Sequence, residues 1–446
     1  MRPFLVLILT LYLISCGGSG GGGSSGGNGN GSGGGNNNPG PNIGNMPDDD
    51  ALILADSSSP YASSLPSCLN PDDETTSCTL NSIPLIGQST DTVTPADILE
   101  KTLVSHQWMA TRWEDLLPLL PEDILQLMGS VTGVVITSDT RPSFYTTQTG
   151  AIYLDSAFFW LTNEEKAVID SAPDFRSGFG DDLQFITLAR YVRGNDYAWD
   201  TYSLTGTEER TLNELVEPLS ALLFHELGHA NDFFPRSRYS SLISGNTVLA
   251  EGERLASSRV SNAMINFSPL NSELLVDIAD VLFKGNSPSA AILALTPEDV
   301  SMEFSADVAS DDYAYTSQFE DLSMLLEEVM MKYHFGIDRD IAYIDRPSTD
   351  SNFCADYPVR WGQRGRIGEP GVIARTRYML QVMLNQTDVS EYIDDLEDPV
   401  AMVNGNDWCQ NINLSSSSAS AKTLFERSGN PSDNPRFPES DKRRFH

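Results

Sequence analysis

An α+β fold is predicted by three features of the 446-residue chain. Leucines recur at helical spacing through residues 96–128, two short segments at 133–137 and 149–154 have strand character, and two longer apolar patterns at 220–234 and 318–333 have a helical period. Strands ahead of the principal helices, in one continuous stretch of mixed pattern, read as α+β.

The elements follow in chain order. In 96–128 the helical pattern is cut into pieces by Pro118 and Pro121, because proline lacks the N–H that a helix interior needs. Residues 133–137 form a β-branched run. The segment 149–154 alternates, with Ala151 and Tyr153 on one side and Ile152 and Leu154 on the other. Residues 220–234 carry Leu222, Leu223, Phe224 and Leu227 in a helix-compatible pattern, with Pro218 expected in the first turn and Pro235 as the stop. The pattern at 318–333 places Phe319, Leu322, Leu326, Val329, Met330 and Tyr333 along one stripe.

Composition bounds the function. At 40% hydrophobic the chain can bury a substantial core, and 51–411 shows no low-complexity break and no internal repeat, so one large domain with an N-terminal extension is expected there. The 62 acidic against 28 basic residues give a net charge of −34, which repels a phosphate backbone and excludes nucleic acid as a partner. The apolar run from Phe4 to Ile14 is about half of the roughly 20 residues that a spanning helix needs. A polytopic membrane protein is thereby excluded.

Residues 1–15 instead have a charged start, a short apolar core and a small residue before Cys16, the plan of a secretory signal. Leu13-Ile14-Ser15-Cys16 resembles the box of bacterial lipoproteins. That resemblance implies cleavage before Cys16, acyl chains on it and attachment to a membrane, and Gly17 after the Cys implies the outer membrane of a bacterial envelope. Residues 17–45 contain little but Gly, Ser, Asn and Pro, and 16–50 are expected to act as a flexible tether with a reach of roughly 30 Å. Residues 412–446, with a serine run and Pro431, Pro435 and Pro438, are expected to be a disordered tail. Export into an oxidising compartment leaves Cys68, Cys78, Cys354 and Cys409 as an even set. Of the three pairings possible, Cys68 with Cys78 and Cys354 with Cys409 are favoured, each pair being local and flanked by turns; four reduced thiols are the alternative.

The chemistry lies in His225-Glu226-Leu227-Gly228-His229. Histidines four apart differ by about 40° around a helix and sit one turn apart, so both imidazoles reach one metal ion from the same face. Glu226, about 100° round, is poorly placed as a ligand and well placed as a general base for a water that the metal activates. The chain has five histidines in all, so their concentration here is no accident of composition.

This motif resembles that of the zincin metallopeptidases, over about residues 212–340. A third histidine six residues on would mark one branch, but Pro235 stands there; the gluzincin branch takes a glutamate from a later helix. Glu251, Glu253, Glu303 and Glu320 are candidates. The segment from Tyr313 to Asp321 resembles that of the anthrax-lethal-factor-like group, in which a tyrosine precedes the ligand glutamate by seven residues, and this selects Glu320. The resemblance thus implies a zincin-like domain binding Zn2+ through His225, His229 and Glu320, with Glu226 as base and Tyr313, with Tyr315 as its rival, at the oxyanion. Ser317-x-x-Glu320 also has capping-box spacing, which would account for Glu320 without a metal. Asp232 and Asp321 are candidates for orienting a histidine, while His334 reads as packing at a helix end and His106 as a helix-surface or buried residue. By the same resemblance the strand at Tyr153 is a candidate sheet edge for a peptide substrate.

The expected function is that of a lipid-anchored, exported zinc peptidase acting on a peptide or protein substrate. The alternatives are an envelope zinc amidase cutting peptidoglycan peptides and a zincin-shaped binding lipoprotein without turnover, which would have no need of Glu226. The oligomeric state stays open.

Overall fold

The computed structural model describes residues 52–71, 76–347 and 353–414. The signal at 1–15, Cys16, the tether at 16–50 and the tail beyond residue 414 lie outside the described residues.

The chain folds into two five-stranded sheets with helices packed on and between them, a mixed α+β architecture. The first sheet comprises β1 (Ile53–Leu54), β2 (Thr102–Val104), β3 (Val134–Thr137), β4 (Phe144–Thr146) and β5 (Ala151–Asp155) in the order β1-β2-β3-β5-β4. Its middle three strands, β2, β3 and β5, are parallel, and β1 and β4 run antiparallel at the edges. The alternation at 149–154 does not mark a half-exposed strand, because Ile152, Tyr153 and Leu154 are all buried. Both faces are covered, as parallel strands require. Tyr153 therefore sits on an interior strand, and the edge expected there belongs to β4.

Two departures in this half have local causes. The Leu-rich stretch resolves into the helices Pro95–Leu99, Gln107–Leu116 and Glu122–Leu127, with β2 interposed. Three residues of strand inside an apolar stretch have no period of their own to betray them.

The helix Asn213–Phe233, here the motif helix, is 21 residues long and starts before Pro218 rather than at it. Its first turn is held because the Thr211 N–H and hydroxyl both donate to Glu214 Oε2, at 2.7 and 2.5 Å. Pro218 then falls inside the helix, where only the bond to the Glu214 carbonyl is lost. The helix Gln318–Phe335, here the glutamate helix, starts at Ser317, whose Oγ accepts from the N–H groups of Phe319 and Glu320, both at 3.2 Å. It ends at Gly336 in the left-handed conformation, φ 64°.

The second sheet was not anticipated. It comprises β6 (Phe185–Arg193), β7 (Asp196–Tyr197), β8 (Asp338–Asp345), β9 (Val359–Arg364) and β10 (Val400–Ala401) in the order β10-β9-β8-β6-β7, antiparallel throughout. Charged residues such as Arg190, Arg339, Asp340 and Arg364 interrupt its apolar pattern, yet all four are buried. Asp340 accepts from Arg190 Nε at 2.8 Å and from Arg364 Nε at 2.7 Å. A buried charge is tolerated when paired in this way.

The main core joins the first sheet, the motif helix, the glutamate helix and the helix Pro370–Met383. Smaller clusters lie on the two faces of the second sheet. The four cysteines stand as expected, with Cα atoms 5.5 Å apart for Cys68 and Cys78 and 5.8 Å apart for Cys354 and Cys409, at disulfide distance. Ile412 is buried and Leu414 packs on the cluster around Trp408, so packed chain reaches at least residue 414. Among the described residues no helix is long and apolar enough to cross a membrane.

Candidate metal centre

The motif helix and the glutamate helix cross at Gly228. A β-carbon placed on Gly228 would stand 2.7 Å from Ser323 Oγ and 3.0 Å from Ser323 Cα, inside van der Waals contact. Glycine thus lets the backbones approach, and the crossing brings Glu320, one turn before Ser323, up to the two histidines.

One ligand atom from each of His225, His229 and Glu320 lies within 4.8 Å of the others, forming a group able to hold a metal ion. Glu320 Oε2 is 3.0 Å from His225 Nε2 and 3.4 Å from His229 Nε2. A tetrahedral zinc ion with bonds of about 2.0–2.1 Å keeps its ligands about 3.3 Å apart, so these separations suit the edges of such a site. Two imidazoles and one carboxylate also form a donor set suited to zinc. All three residues are withdrawn from solvent, His229 being the most open at 11% of its side chain.

The far side of His225 is held as well. Its Nδ1 lies 3.0 Å from Glu327 Oε2, and a carboxylate on the second nitrogen fixes the ring's rotation and turns Nε2 toward the group that could hold an ion. With the protein alone, burial pushes the His225 pKa down, but the hydrogen bonds and charges of Glu320 and Glu327 outweigh it and raise the pKa to about 10. Burial by itself would raise Glu320; the charge of His229 and hydrogen bonds from both histidines hold it well below the ordinary carboxylate range.

Glu226 is buried beside His225. Tyr313 is half-buried in the turn Asp312–Thr316, its ring centroid 6.1 Å from that of His225 at 28° between planes. Its rival Tyr315 turns into the core against Phe304, and burial raises its pKa far above the ordinary phenol value.

The remaining candidates are placed elsewhere. Glu251 is buried and tied to Arg254, the Ile243 N–H and Asn246, while Glu303 accepts from Ser272 at 2.9 Å. Ser317 does cap the glutamate helix, but the Glu320 carboxylate turns to the histidines, so capping and the metal group coexist. Asp232 accepts from the N–H and Oγ of Ser261, each at 2.7 Å, and Asp321 pairs with Arg375. The carboxylate that stands against a histidine nitrogen is instead that of Glu327. Seven residues after Glu320 it returns to nearly the same helical face, a spacing legible in the sequence. His334 stacks on Phe224 and lies 2.9 Å from Asp123, and His106 precedes the helix Gln107–Leu116 beside Ser105.

Comparison of the chain with protein-family models, curated proteins and solved structures finds no match.

Proposed function

We propose that the protein is a zinc-dependent peptidase, exported and lipid-anchored through Cys16, with His225, His229 and Glu320 as ligands. The reading is supported above all by the convergence of these three side chains with Glu226 next to the first of them. Zinc, when bound, would supply a Lewis acid able to make water nucleophilic near neutral pH. Glu226 then acts on protons: its carboxylate takes one from the attacking water and returns it to the departing amine. Tyr313 directs its hydroxyl to the oxygen on which negative charge develops. Burial of Glu226, His225 and Glu320 keeps bulk water from screening these charges.

The test joins metal content to turnover of a mixed peptide library by the purified chain. One zinc per chain is expected, lost in His225→Ala and in His229→Ala. Glu226→Gln should keep the zinc and lose at least about a hundredfold in turnover. Glu320→Ala should lose both, whereas Ser317→Ala, which removes only the cap, should cost about 1 kcal/mol of stability and keep the zinc. Equal zinc in the wild type and both histidine variants, or full turnover by Glu226→Gln, overturns the proposal.

A further inference from the structure

Behind His225, on the side away from Glu320, a buried polar group reaches in from the second sheet. Tyr191 on β6 and Arg339 on β8 are direct partners in the antiparallel register, so both side chains leave the sheet on one face. The Tyr191 hydroxyl donates to Glu327 Oε1. The Arg339 guanidinium lies 5.0 Å from the centre of the Tyr191 ring and 3.8 Å from that same Glu327 oxygen. Glu327 Oε2 is the atom that faces His225 Nδ1 at 3.0 Å.

A second line of contacts starts from the same guanidinium. Arg339 Nε donates to Asp311 Oδ2 at 2.9 Å, and Asp311 Oδ1 accepts the backbone N–H of Tyr313 at 2.7 Å. Both carboxylates are fully buried. Glu328 adjoins them, and burial raises its pKa; the guanidinium contacts both Glu327 and Asp311. Burying such a group costs desolvation that well-packed apolar side chains would avoid. Its two ends are nevertheless specific: one touches His225, the other holds the backbone of Tyr313.

We propose that the Tyr191–Arg339 pair is a positioning device for the metal centre. By holding Glu327 it sets the rotation of His225, and by holding Asp311 it sets the turn that carries Tyr313, so one cross-strand pair aligns a ligand and the oxyanion donor together. The inference rests on the metal reading above and adds residues that touch neither metal nor substrate.

The experiment measures zinc affinity of the full chain by competition with a chromophoric chelator, and the d–d spectrum after cobalt substitution. Tyr191→Phe keeps the ring and removes the hydroxyl; affinity should fall about three- to tenfold, less than the roughly ten- to hundredfold that direct partners of metal ligands contribute, with a shifted cobalt spectrum. Arg339→Lys keeps the charge but cannot span two carboxylates, and should lower both zinc affinity and kcat. Tyr343→Phe is the control: this tyrosine is also buried on β8 but packs against Phe185, Phe304 and Trp361, and its loss should leave zinc affinity unchanged. Wild-type affinity in folded Tyr191→Phe overturns the inference, and so do equal losses in Tyr191→Phe and Tyr343→Phe, which would mean a general softening of the sheet. If Arg339→Lys fails to fold, Tyr191→Phe against Tyr343→Phe decides. A wild-type chain that binds no zinc overturns the metal reading itself, before any variant is compared.

Discussion

The two sheets have the same number of strands and opposite interiors. The first is apolar through its middle, with Val134, Val135, Ile136, Ile152 and Leu154 wholly buried, and the motif helix packs in the same core. The second carries guanidinium and carboxylate groups inside it, with Asp340 between Arg190 and Arg364 and Arg339 against Asp311. One supplies a platform that is indifferent to direction, since apolar burial is proportional to area. The other supplies directed contacts, and it is the sheet whose side chains, Tyr191 and Arg339, reach Glu327 behind His225. On the proposal above, stability and alignment at the site are drawn from different halves of the molecule.

The contrast is open to substitution, and the largest effect is expected in the second sheet. Asp340→Asn leaves two buried guanidinium groups sharing a neutral partner and should cost about 3–5 kcal/mol; a urea titration giving less than about 1 kcal/mol would show that the paired charges of that interior do little for stability. Leu154→Ala in the first sheet should cost about 3 kcal/mol while the folded chain keeps its zinc affinity, because only packing is lost. A parallel fall in affinity would break the division of labour.

Gly228→Ala acts between the two halves. The helices must part by a few tenths of an ångström at Ser323, which should cost about 1–3 kcal/mol and, unlike Leu154→Ala, should weaken zinc binding.

A further effect concerns Lys101, a buried cation beside the first sheet. Lys101 donates to the Pro84 carbonyl and lies 4.4 Å over the Tyr61 ring, and burial lowers its pKa to about 7. Between about pH 7 and 10.5 the unfolded chain carries a proton there that the folded chain lacks, so this group makes stability rise with pH across that window. Lys101→Met should flatten the rise, measured as the difference in urea midpoint between pH 7.5 and 9.5. A rise equal to that of the wild type would show that the ammonium is not withdrawn from water as its position requires.

The same division governs what was legible in the sequence. Local signals were readable: the histidine pair lies on one helical face because 3.6 residues make a turn, and the stop at Pro235 and the cap at Ser317 are chemistry of adjacent residues. Glu320 was reached through the resemblance of its segment, not through spacing from the histidines. Glu327 was missed because its partner is 102 residues away in the chain and only the crossing at Gly228 joins them. The second sheet was missed for a related reason. In Asp338–Asp345 the charges read as surface until their partners on other strands are known, and pairing across a sheet leaves no periodic trace in either strand. The motif helix began earlier than expected because proline is a poor marker of a start when the preceding turn has its own cap.

The motif helix also bears on how the chain tolerates change. From Leu219 to Gly228 every residue is buried, so this stretch has no outward face along which substitutions could accumulate. A surface helix in a saturation scan gives a rhythm of tolerant and intolerant positions near 3.6 residues. Here that rhythm should vanish: Leu227 is held by the core, Gly228 by the crossing, and His225, Glu226 and His229 by the chemistry proposed for them. The pentapeptide would stand in such a scan as an unbroken block, its letters fixed for three unrelated reasons.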